Sequence, residues 1–426
     1  MNKTRPGNVH IIGGGTVNHI RPHLAISAPA YGKVANQIYD LAVRKWSHVG
    51  LHMTKMACSG DSDLETNHDV SLLLDRLISD DKTKVIFLTA ALCDFNGHVI
   101  QSDMDNNNTF NYTDSGKDKL RLKSDKPVEL GLLPAEKLIS KIRSVRKDIF
   151  LVAFKTTSGA TEDEQFLAGL NLLKKNSCNL VLANDVHTRM NMIITPEQAK
   201  YSVTTNRESA LRTLVTIASA RCGLSFTRST IVPGDPVPWS SKQIPNSLRR
   251  VVNWCIAQGA YRPFNGSTVG HFAVKTPGDE FLTSIRKSDF NKLNETGLVK
   301  IVSGGKDEVL AYGSRPSVGG QSQRIIFSEH DGYDCIVHAH IPLKENVNTI
   351  PIAQQWPYEC GSHECGENTS RNLKNFGICK AVMLNNHGPN IVFKKNTDPE
   401  LLIQFIEDHF DLSKSTDDVL WKNSQL

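Results

Sequence analysis

A chain of 426 residues is too long for one typical hydrophobic core, so two or three domains are expected. Its 39% hydrophobic and 22% charged residues and net charge of +5 describe an ordinary globular protein, with no long basic block to indicate a nucleic-acid partner. No apolar run approaches the roughly 20 residues that a membrane span needs, and the start, MNKTRPGNVHIIGGGT, passes into a strand pattern without a signal-peptide core. Nine cysteines, an odd number scattered over both halves, fit free thiols in a reducing compartment, so a cytoplasmic location is expected.

Through the first half, short apolar runs alternate with helical stretches. VHIIGGG, VIFLTAAL, IFLVAFK and NLVLANDV read as parallel strands covered on both faces. Between them GKVANQIYDLAVRKW, DVSLLLDRLISD, PAEKLISKIRSV and DEQFLAGLNLLKKN carry helical periodicity. The alternation predicts a doubly wound, Rossmann-like α/β sheet over residues 1–222. Residues 101–118 are polar and Asn/Asp-rich and read as a mobile loop. From 223 to 247, Pro233, Pro236, Pro238 and Pro245 interrupt any periodicity, and the stretch reads as a linker. Beyond it, SLRRVVNWCIAQGA reads as a helix, HFAVKTPG, GLVKIVSGG and DCIVHAH as strands, and LLIQFIEDHF as a final helix. Residues 248–426 are thus expected to form a second α/β domain with a largely antiparallel sheet. No internal repeat connects the halves.

Two places carry candidate chemistry. Gly13, Gly14 and Gly15, with Thr16, close the first strand, where glycines let backbone amides approach a phosphate; a tight turn without ligand explains them equally well. His338 and His340 in IVHAH end a strand and point to one side, because strand side chains alternate with period two. With His387 in LNNHGP they supply three imidazoles, the shell that zinc takes when one coordination position stays open for substrate. Cys360, His363 and Cys365 in YECGSHECGEN lack a second ligand pair and read as a Gly-rich loop with incidental thiols.

In chain order, GGTVNHIRPHLAISAPAYGKVANQIYDLA, LTAALCDF, DKLRLKS, VAFKTTSG and LVLANDV resemble segments of phosphopantothenoylcysteine synthetase, over about residues 7–222. That resemblance to a coenzyme A biosynthesis ligase implies a nucleoside triphosphate co-substrate, CTP or ATP with Mg2+, and activation of a carboxylate as an acyl-nucleotide. Lys119 matches the family's catalytic lysine, with Lys123 as a nearby substitute. Phe154 and Lys155 match its nucleotide-binding strand, and Ala183, Asn184 and Asp185 the motif against which the base rests. Two departures stand out. The family asparagine after the serine is absent, because Ser27 is followed by Ala28-Pro29-Ala30, and Thr156-Thr157 replace the acidic residue after Phe-Lys.

Residues 248–410 resemble the class II aldolase and adducin family, which implies a divalent metal, zinc or a similar ion, held by His338, His340 and His387 and polarising a phosphorylated carbonyl substrate. The family's phosphate cradle carries over to Asn265 and Ser267 in FNGSTVG, Thr276 in KTPG and Ser317 in RPSV. The general base after Pro-Ser-Ser is missing, since no carboxylate occurs from Ser317 to Phe327. Glu359 and Glu364 are the candidate replacements, ahead of Glu329, His330 and Asp331. The expectation is a bifunctional enzyme of small phosphorylated metabolites, a ligase-like domain fused to an aldolase-, epimerase- or dehydratase-like domain, working as a homo-oligomer. The other reading is a non-catalytic nucleotide- and metal-binding scaffold, as in adducin.

Overall fold

The computed structural model describes residues 5–58, 62–104, 110–305, 307–317 and 321–416. The chain separates into two compact units, the first running through Ile194 and Ser202–Cys222, the second comprising Thr195–Tyr201 and the residues from Gly223.

In the first unit the apolar runs form the middle of a seven-stranded sheet. Five parallel strands lie in the spatial order Trp46–Met53, Arg5–Gly13, Thr83–Leu88, Phe150–Thr157 and Leu180–Asp185, followed by antiparallel Asn191–Ile194 and then Lys200–Thr204. Val9, Ile11, Val85, Phe87, Leu151 and Val181 are fully buried, as strands without a polar face require. Helices Lys33–Ala42, Asn67–Ser79, Ile139–Val145, Glu162–Asn176 and Arg207–Arg221 complete the alternation. Two of them start on reciprocal caps, Thr66 with Asp69 and Thr161 with Glu164. The first strand lies between the second and third parallel strands, so the strand order reverses between Arg5–Gly13 and Thr83–Leu88. Open α/β sheets bind ligands outside the carboxyl ends of their strands at such a switch point. Here that end is Gly13 and Leu88.

Two local expectations are corrected. The helix expected over 32–46 stops at Ala42, and Trp46–Met53 is an edge strand whose apolar alternation His48, Gly50 and His52 conceal. The loop expected over 101–118 contains strand instead: Phe95–Met104 pairs with Phe110–Tyr112 and with Leu130–Pro134. Residues 105–109 of that segment lie outside the described residues.

Across the first two strands His10 Nδ1 and His52 Nε2 are 3.1 Å apart. Burial, then the charges of His10 and Arg76, push His52 down to about 4, and burial lowers His10. Between pH 6.5 and 4 the unfolded chain therefore binds more protons here than the folded one, so stability present above pH 6.5 is lost as pH falls toward 4. The thermal midpoint is expected to fall from pH 7 to pH 5, and to fall less in His10→Gln/His52→Gln. A drop of the same size in both proteins would show that the pair contributes nothing.

The second unit is built on a ten-stranded sheet. Its main path runs Arg228–Val232, Glu308–Tyr312, Leu298–Ser303, Glu280–Ser284, His271–Thr276, Cys335–His338, Gly388–Phe393, Cys379–Leu384 and Ile352–Ala353. Pairing is antiparallel except at the two ends, where Arg228–Val232 and Ile352–Ala353 run parallel to their neighbours. One face packs Phe272, Val274, Cys335 and Val337 against helices Asn246–Ala257 and Pro399–His409. The other packs Ala273 and Ile336 against Ile326 and Phe327 of helix Gln321–Glu329. The stretch read as a linker, 223–247, is not simply a connector: Arg228–Val232, just ahead of its four prolines, forms an edge strand of this sheet.

Candidate metal centre and strand-end cleft

Three imidazoles meet at the end of the second unit's central strands. Cys335–His338 alternates so that Ile336 and His338 face one way, and His340 follows just beyond the strand end. His387 arrives from the hairpin between Cys379–Leu384 and Gly388–Phe393, whose pairing of Leu384 with Gly388 leaves Asn385, Asn386 and His387 as a three-residue turn. Asn386 takes the left-handed conformation (φ 58°) that asparagine tolerates. Gly388 has φ 141°, and a Cβ there would meet the Ala339 carbonyl oxygen at 2.0 Å. Only glycine lets the turn close against the His338–His340 segment. Thr416 holds both parts, its N–H donating to the His340 carbonyl and its hydroxyl to the His387 carbonyl, each at 3.0 Å.

The ligand nitrogens of His338, His340 and His387 lie within 4.8 Å of one another, and the residues are 3%, 7% and 2% exposed. His338 donates from Nδ1 to the Pro389 carbonyl at 2.8 Å, which leaves its Nε2 as a lone pair. That Nε2 faces Nε2 of His387 at 3.2 Å. Two nitrogens on a tetrahedral zinc at about 2.1 Å would stand about 3.4 Å apart, so this spacing fits a cation as well as a shared proton. Burial pushes His338 down to about 4 and keeps it in the neutral form that binds metal. The donor set therefore fits zinc or a similar borderline ion with one position open.

The other residues singled out in this unit are dispersed. Glu364 caps the backbone N–H of Ser225 at 3.0 Å, and Glu359 is buried; no carboxylate of a described residue joins the three-histidine group. Asn265 and Gly266, both at positive φ, make the two-residue turn between Pro263–Phe264 and Ser267–Thr268, and Ser267 donates to the Phe264 carbonyl. Thr276 ends the strand that His271 begins. Five residues of strand put it about 17 Å from the histidine end, so Thr276 is not part of a cradle there. Ser317 does reach that end, donating to the Gly270 carbonyl at 3.3 Å. Of the alternative bases, His330 lies against Ser370 and Lys380. His363 bonds Thr227 at 2.8 Å, away from any metal cluster among the described residues.

In the first unit, the nucleotide-site candidates collect at the carboxyl ends of the parallel strands. Lys155, Thr156 and Thr157 pair with Ala183, Asn184 and Asp185, and Phe154 directly precedes them. Asp185 already accepts four hydrogen bonds, from Thr157 Oγ1 and the N–H groups of Ala160, His187 and Thr188. These hold its carboxyl well below the usual range, the Thr188 N–H first among them. A carboxylate so filled builds its loops and offers a nucleotide no free acceptor site. The glycine run is also committed: Gly15 N–H donates to the Ala30 carbonyl and Thr16 N–H to the Ala91 carbonyl. A Cβ on Gly15 would lie 2.0 Å from the Ala28 oxygen. Those two amides are thus not a phosphate nest, and the glycines serve close packing of the switch-point loops.

Lys119 lies 3.3 Å from Asp118 and 3.8 Å from Asp114, two exposed carboxylates. Its segment docks on the strand that follows the glycine turn, since Gly116 N–H donates to the Ile20 carbonyl and Arg21 to the Asp114 carbonyl. Beside it is a cluster that periodicity and motif gave no reason to expect. Glu65 accepts from Lys117 at 2.6 Å, His19 at 3.0 Å and Lys55 at 3.3 Å, and the Lys117 contact above all pushes it down to about 2. Asn67 likewise joins Thr16 to Cys93. Both contacts are made across chain separations too long for any local signal.

No family model matches the chain. The coenzyme A biosynthesis bifunctional protein CoaBC of Thermococcus kodakarensis is 25% identical over 180 residues, 41% of this chain and 40% of the relative. The chain thus spans well under half of that curated relative. Among solved structures, the DNA/pantothenate metabolism flavoprotein from Streptococcus pneumoniae aligns with 49% of this chain and 97% of its own, at 19% identity and TM-score 0.42. L-fuculose 1-phosphate aldolase aligns with 39% of this chain and 83% of its own, at 16% identity and TM-score 0.30. Among the described residues no helix is long and apolar enough to cross a membrane.

Proposed function

We propose that the chain is a bifunctional small-molecule metabolic enzyme whose second unit is a divalent-metal lyase or isomerase of a phosphorylated carbonyl compound. The observation that carries this reading is the buried three-imidazole group with its converging nitrogens. His338, His340 and His387 would hold the metal, which when bound supplies a Lewis acid for polarising a carbonyl oxygen. The chain's own contribution is to exclude water, to fix the imidazole tautomer through Pro389, and to anchor the turn through Gly388 and Thr416. The test is solvent deuterium exchange into dihydroxyacetone phosphate by zinc-, manganese- or cobalt-loaded protein, followed by NMR. Exchange that disappears in His387→Ala supports the reading. No exchange with that compound or with a panel of phosphorylated ketoses, at full metal occupancy, would contradict it and favour the scaffold reading; among the described residues no carboxylate belongs to the three-histidine group.

For the first unit we propose nucleoside-triphosphate-dependent activation of an acid at the carboxyl ends of the strands, with Lys119 neutralising the anions brought together there. The 25% identity to a coenzyme A biosynthesis protein and the doubly wound sheet support this. Cys93, Cys178, Cys255, Cys335 and Cys379 are buried thiols outside any disulfide, which suits a cytoplasmic protein. Assembly as a homo-oligomer belongs to the same reading.

A further inference from the structure

A fourth imidazole lies against the three-histidine group. His271 begins the strand His271–Thr276 and sits directly opposite His338 on the neighbouring antiparallel strand, so the two side chains share one face of the sheet. Their rings meet edge to face, centroids 4.7 Å apart at 85°. His271 is 5% exposed, and its Nδ1 is buried with no hydrogen-bond partner among the described residues. A buried nitrogen left so is costly unless a ligand completes it. The placement is built, not incidental. Gly270 before it has φ 123°, and a Cβ there would meet the His338 carbonyl oxygen at 2.7 Å and the Tyr261 ring at 2.8 Å. Ser317 Oγ then donates to the Gly270 carbonyl and fixes the strand's entry.

His271 does not belong to the group of mutually close ligand nitrogens, which is confined to His338, His340 and His387. A buried nitrogen on a ring packed against the ligand group but outside it suits a hydrogen bond to a molecule that enters the site. We infer that His271 is a substrate-binding residue of this centre. Its ring nitrogen hydrogen-bonds a carbonyl or hydroxyl oxygen of the ligand that enters the site. In this role it supplies a polar contact to a group that, among the described residues, includes no carboxylate. The inference rests on the metal reading proposed above.

The experiment uses the full chain loaded with cobalt(II), whose absorption bands report the ligand set, and acetohydroxamate as a small oxygen-donor probe. Wild type, His271→Ala and His271→Gln are compared, with His387→Ala as the variant that loses the centre. The expected result is one cobalt per chain with an unchanged spectrum in both His271 variants. Acetohydroxamate should bind at least about tenfold more weakly to His271→Ala, with part of the loss restored in His271→Gln. Equal probe affinity in all three proteins would overturn the role of His271 while leaving the metal centre standing. A changed cobalt spectrum or lost cobalt in His271→Gln would overturn it in favour of a fourth metal ligand. Wild-type protein that takes up no cobalt would remove the metal reading and the inference with it.

Discussion

Gly388→Ala is expected to destabilise the second unit by about 3 kcal/mol and to pull His387 away from its two partners. Two costs add. A side chain at φ 141° is strained by about 1–3 kcal/mol. The new Cβ also meets a backbone oxygen at 2.0 Å, an overpacking that costs about 1–3 kcal/mol. The Ala339 carbonyl cannot swing aside like a side chain, so the hairpin turn itself must move. For a unit of this size the thermal midpoint should fall by roughly 6–12 °C. Metal affinity should fall as well, because His387 rides on the displaced turn. Circular dichroism melts and a zinc competition titration read both effects. A variant with the wild-type midpoint and wild-type zinc affinity would show that the turn is not braced as described.

Lys119→Ala is expected to reduce nucleoside triphosphate turnover at least about a hundredfold, the scale on which single preorganised electrostatic contacts act. Lys117 cannot substitute, because it is bound to Glu65 at 2.6 Å beside His19 and Lys55. Lys119 is held only by two exposed carboxylates at 3.3 and 3.8 Å, surface pairs worth little to break. If Lys119 alone holds this role, Lys123→Ala stays within a few fold of wild type. Pyrophosphate release with CTP or ATP and a panel of carboxylic acids is the assay. Full turnover in Lys119→Ala would remove this lysine from the site.

What could be read from sequence follows from how local each signal is. Val9, Ile11, Val85 and Val181 lie in runs whose complete burial shows directly as unbroken hydrophobicity, so the centre of the doubly wound sheet was legible. Trp46–Met53 was not, because an edge strand carrying His48, Gly50 and His52 has no clean period. His338 and His340 were legible as a period-two pair, and His387 as a turn histidine. His271 was hidden because only strand pairing, over a separation of 67 positions (271 to 338), brings it opposite His338. The glycine motifs were ambiguous for one physical reason. Gly15 and the Thr276-Pro277-Gly278 turn use glycine for close packing and chain reversal, which look the same in sequence as a phosphate cradle.

The most direct test of the three-histidine centre is elemental analysis of purified protein, wild type beside His338→Ala/His340→Ala, after equilibration with zinc and removal of loosely held ion. About one zinc per folded chain, lost in the variant while its circular dichroism is kept, is the expected result. Wild-type protein that stays free of zinc, manganese and iron after reconstitution would contradict the centre and leave four buried histidines without a function.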